Sequence, residues 1–296
     1  MNRTKPALTA TAATAFLVLS ACSASPDAPA PGNSSTTKAQ IASQVTADKK
    51  TDIAALDSSL GAPSGSSSVK LCYVTRTLQN EFWGYERDGF ENAAKKLGVS
   101  FQTFAVNDEA SITEQLDKAK SALNQGCSAL LASPISATAL DSVFTEALGK
   151  GVPAIILNDA KGTLPGVVYI GPDALTIGES AADFIAKNVP DGGKVAMIEG
   201  DPGSSNALNR GKGFKAGLTK YPNLTLVASQ TAKWDTNQAK TIANAMLTAN
   251  PDIKAFYVQN DGMALGVQSA IADKGLTGKV VLVGTDGIPQ AKKEIT

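Results

Sequence analysis

From residue 69 onward the chain alternates short apolar runs with amphipathic stretches, and few folds accept that pattern. Strand-like runs lie at 69–75, 99–105, 128–132, 153–157, 167–170, 193–198, 224–229, 253–258 and 279–284. Helical patterns fill most of the intervals, such as "EFWGYERDGFENAAKKLG" (81–98) and "ASITEQLDKAKSALNQG" (110–126). The second has apolar residues at 112, 116, 119 and 123, one face of a helix, and stops at Gly126. Strands separated by helices of this length imply right-handed crossovers and parallel sheets. Nine strands suit two sheets better than one. The long helix-free interval "LNDAKGTLPGVVYIGPD" (157–173) is the natural place to divide them. The expected architecture is therefore α/β, with two Rossmann-like lobes at 69–171 and 172–296 and a cleft between them.

Open parallel sheets bind ligands outside the carboxyl ends of their strands, so the residues just past each run are the candidate site. After the first run come Arg76, Asn80, Phe82 and Trp83; after the third, Ser133; after the fourth, Asn158 and Asp159. In the second half, "EGDPGSSNALNR" ends in Arg210, and Lys233-Trp234-Asp235, Gln259-Asn260-Asp261 and Thr285-Asp286 come after the next runs. The chain has only 16 aromatics among 296 residues, so Phe82 and Trp83 beside Asn80 at a strand's end are not scattered by composition. An alternative is that the "EFW" aromatics are helix core. That reading suits Phe90, deeper in the helix, better than Trp83, which borders the edge.

Several function classes are excluded. The chain carries 27 basic and 27 acidic residues; 25 basic against 27 acidic remain from Cys22 onward, so no basic field exists to hold nucleic acid. It has no histidine, which removes histidine triads and histidine metal sites. There is no G-x-S-x-G elbow. "RGKGFKAG" (210–217) lies inside a helical pattern and is not a dinucleotide loop. "GDPGSSN" lacks G-K-[ST] and reads as a surface loop, and "NDEAS" (107–111) reads as solvated acids at a helix start. The chain is expected to be a binding protein without metal or cofactor, not an enzyme. Cys72 and Cys127 could be neighbours on parallel strands, but nothing in the sequence sets their levels, and two buried free thiols are expected.

The first 21 residues form an export signal: basic "MNRTK", a short apolar stretch and small residues before Cys22. "LSAC" (19–22) resembles the bacterial lipobox, which implies a lipidated Cys22; the alternative is an ordinary signal with a chance cysteine. Residues 22–68 read as a flexible tether rich in Pro, Ser, Thr and Ala, with "TDIAALDSSL" able to form a short helix.

Four segments, "LQNEFWGYERDGFENAAKKLG", "SSNALNRGKGF", "VQNDGMALG" and "VGTDGIP", resemble in order the ribose-binding type of periplasmic sugar-binding protein. These are the substrate receptors of ABC importers, with a fold shared by LacI-like repressor cores. The resemblance covers about 69–296, and the lipobox favours the receptor, since a repressor would begin with a helix-turn-helix. It implies a monomeric, lipid-anchored receptor on the extracytoplasmic face of the cell membrane. Such a receptor closes on a monosaccharide or sugar alcohol and docks on permease subunits; the alternative is a lipoprotein that senses the ligand for a signalling partner. It implies that Phe82 and Trp83 cover one face of the sugar and Trp234 the other. Asn80, Arg210, Asn260 and Asp286 would bond hydroxyls. It also implies that the chain continues past Thr296 with a segment returning to the first lobe.

The lobe-one polar set departs from the family pattern. Asn158-Asp159 stands where the family usually has Asp-Arg, and near the positions of Arg76 and Ser133 the family has respectively a small polar residue and often an asparagine. The expectation is that Arg76 supplies the guanidinium the family places at position 159, with Asp159 as its partner or as a ligand acceptor. Ribose is therefore not assumed.

Overall fold

The computed structural model describes residues 65–159 and 164–295. The export signal, Cys22 and all but the last residues of the expected tether lie outside the described residues.

Lobe one contains β1 (Lys70–Thr75), α1 (Glu81–Leu97), β2 (Ser100–Ala105), α2 (Ile112–Asn124), β3 (Ala129–Ala132), α3 (Asp141–Gly149), β4 (Ala154–Leu157) and β5 (Val168–Ile170). Its five strands are all parallel, in the order β2-β1-β3-β4-β5. Lobe two contains α4 (Ala174–Asn188), β6 (Gly193–Glu199), α5 (Ser205–Leu218), β7 (Leu224–Thr231), α6 (Thr236–Ala249), β8 (Ile253–Val258), α7 (Asp261–Asp273), β9 (Val281–Val283) and α8 (Pro289–Lys293). Its four strands are also parallel, in the order β7-β6-β8-β9. The nine strands coincide with the nine apolar runs to within two residues, and the change of sheet falls between β5 and β6.

Apolar character on both faces of the inner strands, such as β1, β3, β6 and β8, explains why both sheets are covered by helices. In β6, Val195 and Met197 pack with Phe214 and Tyr257, while Ala196 and Ile198 pack with Phe256 and Val258 on the opposite face. In lobe one, Cys72 and Val74 face Leu130, Phe144 and Ile156, while Tyr73 faces Leu131, Leu157 and the half-buried Phe90. The core position expected for Phe90 is thus observed.

The sequence reading of two free thiols is corrected here: Cys72 and Cys127 form a disulfide, with Cα atoms 5.7 Å apart. The sequence does not state which strands adjoin. β1 lies between β2 and β3, so Cys72 sits beside the turn that enters β3, within the separation a disulfide requires.

Strand order also positions the site. The connection leaving β1 runs to β2 on one side, while that leaving its other neighbour, β3, runs to β4 on the opposite side; β6 and β8 diverge likewise, toward β7 and β9. At such switch points adjacent crossovers diverge and leave a crevice at the carboxyl edge. The segments after β1 and β6 are those that carry Arg76 to Trp83 and Gly200 to Arg210.

Candidate functional site

The turns at the carboxyl edges are built by helix caps. Asn80, Ser204, Asp235 and Asn260 each accept a hydrogen bond from the first turn of the helix they precede, at Phe82, Ala207, Gln238 and Met263. Short polar side chains at these positions satisfy otherwise orphaned backbone N–H groups. Two of these caps, Asn80 and Asn260, also line the cavity, so α1 and α7 begin at its wall.

Twelve residues from both lobes line one cavity enclosing about 340 Å³ of empty space, part of it open to solvent. Ten are among the eleven expected ligand contacts: Arg76, Asn80, Phe82, Trp83, Asn158, Asp159, Arg210, Trp234, Asn260 and Asp286. The eleventh, Ser133, is not brought in. It follows the same alternation as Leu131, so its side chain lies on the sheet face covered by α1, where it donates to Glu86 at 2.8 Å and meets the Tyr73 hydroxyl at 3.3 Å. Burial pushes the Glu86 carboxyl above the ordinary range, against hydrogen bonds from Tyr73 and Ser133.

Two residues missed in the sequence complete the lining, Glu109 and Asn206. Glu109 comes after β2, whose carboxyl end shows only an ordinary polar turn in the sequence. "NDEAS" is therefore not simply a solvated helix start. Glu109 accepts hydrogen bonds from the Trp83 indole N–H at 2.8 Å and the Asn80 amide at 3.0 Å. Asn206 lies in "GDPGSSN", which is not merely a surface loop: its amide donates to Asn158 Oδ1 at 2.7 Å, joining the lobes.

The centre of lobe one is an ion pair. Arg76 Nη2 donates to Asp159 Oδ2 at 2.7 Å and to the Pro134 carbonyl at 2.5 Å, and its guanidinium lies 5.0 Å from the Trp83 ring centroid. Asp159 also accepts from Ser204 Oγ at 2.5 Å, Ser205 Oγ at 2.6 Å and the Asn206 backbone N–H at 2.9 Å. Burial opposes its ionisation, but Arg76 and these three donors outweigh that penalty and hold the carboxyl below its ordinary range. Asp159 is thus Arg76's partner and a bridge to the N-terminus of α5. That end of a helix favours an anion.

Lobe two holds the second pair. Arg210 Nη1 donates to the Gln259 carbonyl at 2.5 Å, and Nη2 stands 3.8 Å from Asp286 Oδ1. The Asp286 backbone is exposed, yet its side chain keeps only 9% of its accessible surface. Burial pushes that carboxyl up to about 7, with Arg210 opposing and Asp261 adding to the rise. Asp261 shapes this loop by accepting from the backbone N–H groups of Gly287 and Ile288, at 2.7 and 3.0 Å.

Backbone strain concentrates here. Among the described residues, the non-glycine residues with positive φ are Asn158 (59°), Lys233 (52°), Trp234 (68°) and Asp286 (116°). All four lie just past strand ends, and three line the cavity. A bulky tryptophan in this region of φ is a genuine outlier, and such strain gathers at ligand sites. Gly200 makes the arrangement possible: a Cβ there would lie 2.2 Å from the Trp234 ring.

Aromatic rings from both lobes lining one cavity, with carboxylates and guanidinium groups around them, define a two-lobed solute-binding clamp. Residues 71–296 match the periplasmic binding protein domain family, and the chain belongs to that family. It is 35% identical over 239 residues to the D-allose-binding periplasmic protein of Escherichia coli K12, spanning 77% of this chain and 76% of that one. It is 30% identical over 229 residues to the xylitol-binding protein of Mycolicibacterium smegmatis, spanning 77% of this chain and 65% of the relative. Among solved structures, an ABC transporter periplasmic solute-binding protein from Actinobacillus succinogenes 130z with bound D-allose superposes with a TM-score of 0.72. The two share 29% identity, and the match covers 76% of this chain and 81% of that one. The fold expected from the sequence, that of a type I periplasmic binding protein, is the one observed.

Proposed function

We propose that the protein is an extracytoplasmic receptor that captures an uncharged monosaccharide or sugar alcohol and presents it to the permease subunits of an ABC importer. The observation that carries this reading is the composition of the cavity. Phe82 and Trp83 from one lobe and Trp234 from the other supply flat apolar surfaces for sugar C–H faces. Arg76, Arg210, Asn260 and Asp286 supply donors and acceptors for the hydroxyl rim. The relatives named for D-allose and xylitol bind ligands of this class. That these relatives are named for binding fits a receptor that does not convert its ligand. Closure of residues 69–171 against 172–296 would couple occupancy to docking.

The receptor acts as a monomer held to the membrane by a lipid on Cys22, a reading that rests on the lipobox-like "LSAC" ending at that cysteine; among the described residues no helix is long and apolar enough to cross a membrane. Calorimetry of the mature protein with D-allose, D-ribose, xylitol and myo-inositol tests the ligand class, and binding of none of them would refute it. Cys22→Ala is expected to release the protein from membranes; unchanged fractionation would refute the anchor.

A further inference from the structure

The acceptor that lobe one leaves open belongs to Glu109. Its Oε1 is committed to the lobe, accepting from Trp83 and Asn80 at 2.8 and 3.0 Å. Its other oxygen, Oε2, is shielded from solvent and has no hydrogen-bond partner, although the residue lines the cavity. The nearest cation, Arg76 Nη1, stands 3.8 Å away, beyond hydrogen-bonding distance. Asn80, by contrast, is engaged at both ends: its carbonyl caps Phe82 and its amide holds Glu109.

A buried carboxylate oxygen without a donor is costly unless a ligand supplies one. Oε2 is shielded in this form, so a ligand meets it only as the lobes part and re-close around it, and the separation then suits one chemical group. A hydroxyl oxygen at about 2.8 Å from each atom spans a 3.8 Å gap, donating its proton to Oε2 and accepting from Nη1. We infer that Glu109 and Arg76 form a bracket for one ligand hydroxyl, making Glu109 a specificity-determining residue and Asn80 its positioning residue. A hydrogen or methyl at that point would leave both protein groups unpaired. A carboxylate would be repelled by Glu109, so sugar acids are rejected and neutral polyols accepted. This inference rests on the sugar-binding reading above.

Glu109→Gln is the discriminating variant. The amide oxygen can still accept from Trp83 and Asn80, while the free acceptor becomes an N–H₂ donor. The probes are D-allose, D-ribose, xylitol and myo-inositol, then monodeoxy analogues of the tightest binder, each titrated by calorimetry into wild type and variant. The expected result is a loss of at least about tenfold for that probe in the variant, with indole fluorescence and melting temperature unchanged. One monodeoxy analogue should bind wild type more weakly by a similar factor and be indifferent to the substitution. A variant within about threefold of wild type, or an equal loss for every analogue, would overturn the inference while leaving sugar binding intact. If the variant does not fold, the wild-type deoxy series and a sugar acid decide the matter: uniform tolerance of deoxygenation, or a sugar acid binding as well as its neutral parent, overturns it. Failure of wild type to bind any probe removes the sugar-binding reading and this inference together.

Discussion

Asp159→Asn is expected to unlock the two lobes. In the protein as it stands, the Asp159 carboxylate receives Arg76 from its own lobe and three donors from the start of α5: the Ser204 and Ser205 hydroxyls and the Asn206 backbone N–H. Both members of the ion pair are nearly inaccessible, at 3% and 2% of side-chain surface. Removing one partner of a buried pair costs about 3–5 kcal/mol, because the other charge stays buried without compensation. A chain of this size shifts its melting temperature by about 2–4 °C per kcal/mol, so the drop should be on the order of 10 °C. Because three of the four donors come from lobe two, the lobes should also separate. The radius of gyration from small-angle scattering should rise in the ligand-free variant.

The pH dependence has a definite sign. Asp159 titrates below its ordinary carboxyl range, so its contribution is fully present above an unfolded value of 3.8 and is lost as pH falls through the lower folded value. The wild-type advantage over Asp159→Asn should therefore be constant from neutrality down to about pH 4 and vanish below it. Melting within about 2 °C of wild type and unchanged scattering for Asp159→Asn would refute the reasoning.

Trp234→Gly should weaken sugar binding by at least about tenfold while barely lowering the melting temperature of the ligand-free protein. Glycine accepts the φ of 68° that costs tryptophan about 1–2 kcal/mol, which offsets the packing lost where the half-buried ring meets the lobe-two core; thermal melts and calorimetry read both. Ligand affinity should climb as pH rises through about 7, where Asp286 ionises and becomes a full acceptor, and Asp286→Asn should flatten that profile in calorimetry across about pH 5.5–8.5. The same raised carboxyl should make the ligand-free fold lose stability as pH rises from about 4 to 7, the opposite sign to Asp159. Cys127→Ala should destabilise the fold by about 4 kcal/mol, the chain-entropy value for a 55-residue loop, measurable by denaturant titration.

Much of this was legible in the sequence because both sheets are buried on both faces. The inner strands are then short continuous apolar runs, and the more mixed edge runs, such as "SFQTFA" at β2, are set off by the helical patterns on either side. The site was legible for a related reason: in a parallel sheet, function gathers at one edge, and the residues just past each run mark that edge in the chain. The failures share one cause, which is that a linear string does not state adjacency. Cys127 could be placed before β3 but not beside β1. Glu109 sits past the end of β2 with Asn107 and Asp108, a group as polar as any solvated turn, so nothing in the string sets it apart. Ser133 stood at the right end of the right strand. Its fate turned on which face the alternation assigned it, and on Tyr73 and Glu86 waiting there.

The departures from the family pattern in lobe one become coherent once adjacency is known. A carboxylate at 159 would repel a carboxylate at 109 if nothing stood between them. Arg76 does stand between: one Nη bonds Asp159 and the other faces Glu109 at 3.8 Å. One guanidinium, brought in from the end of β1, thus serves the interlobe bridge and neutralises a second acid at the cavity wall. Its flat face over Trp83, 5.0 Å from the ring centroid, adds a cation–π contact that fixes the plane of the fork. The arrangement makes Arg76 less exchangeable than either acid. Lysine would offer one point charge where a planar fork serves two directions, so the closure bridge and the selectivity of the cleft should fail together at that position and separately at the other two.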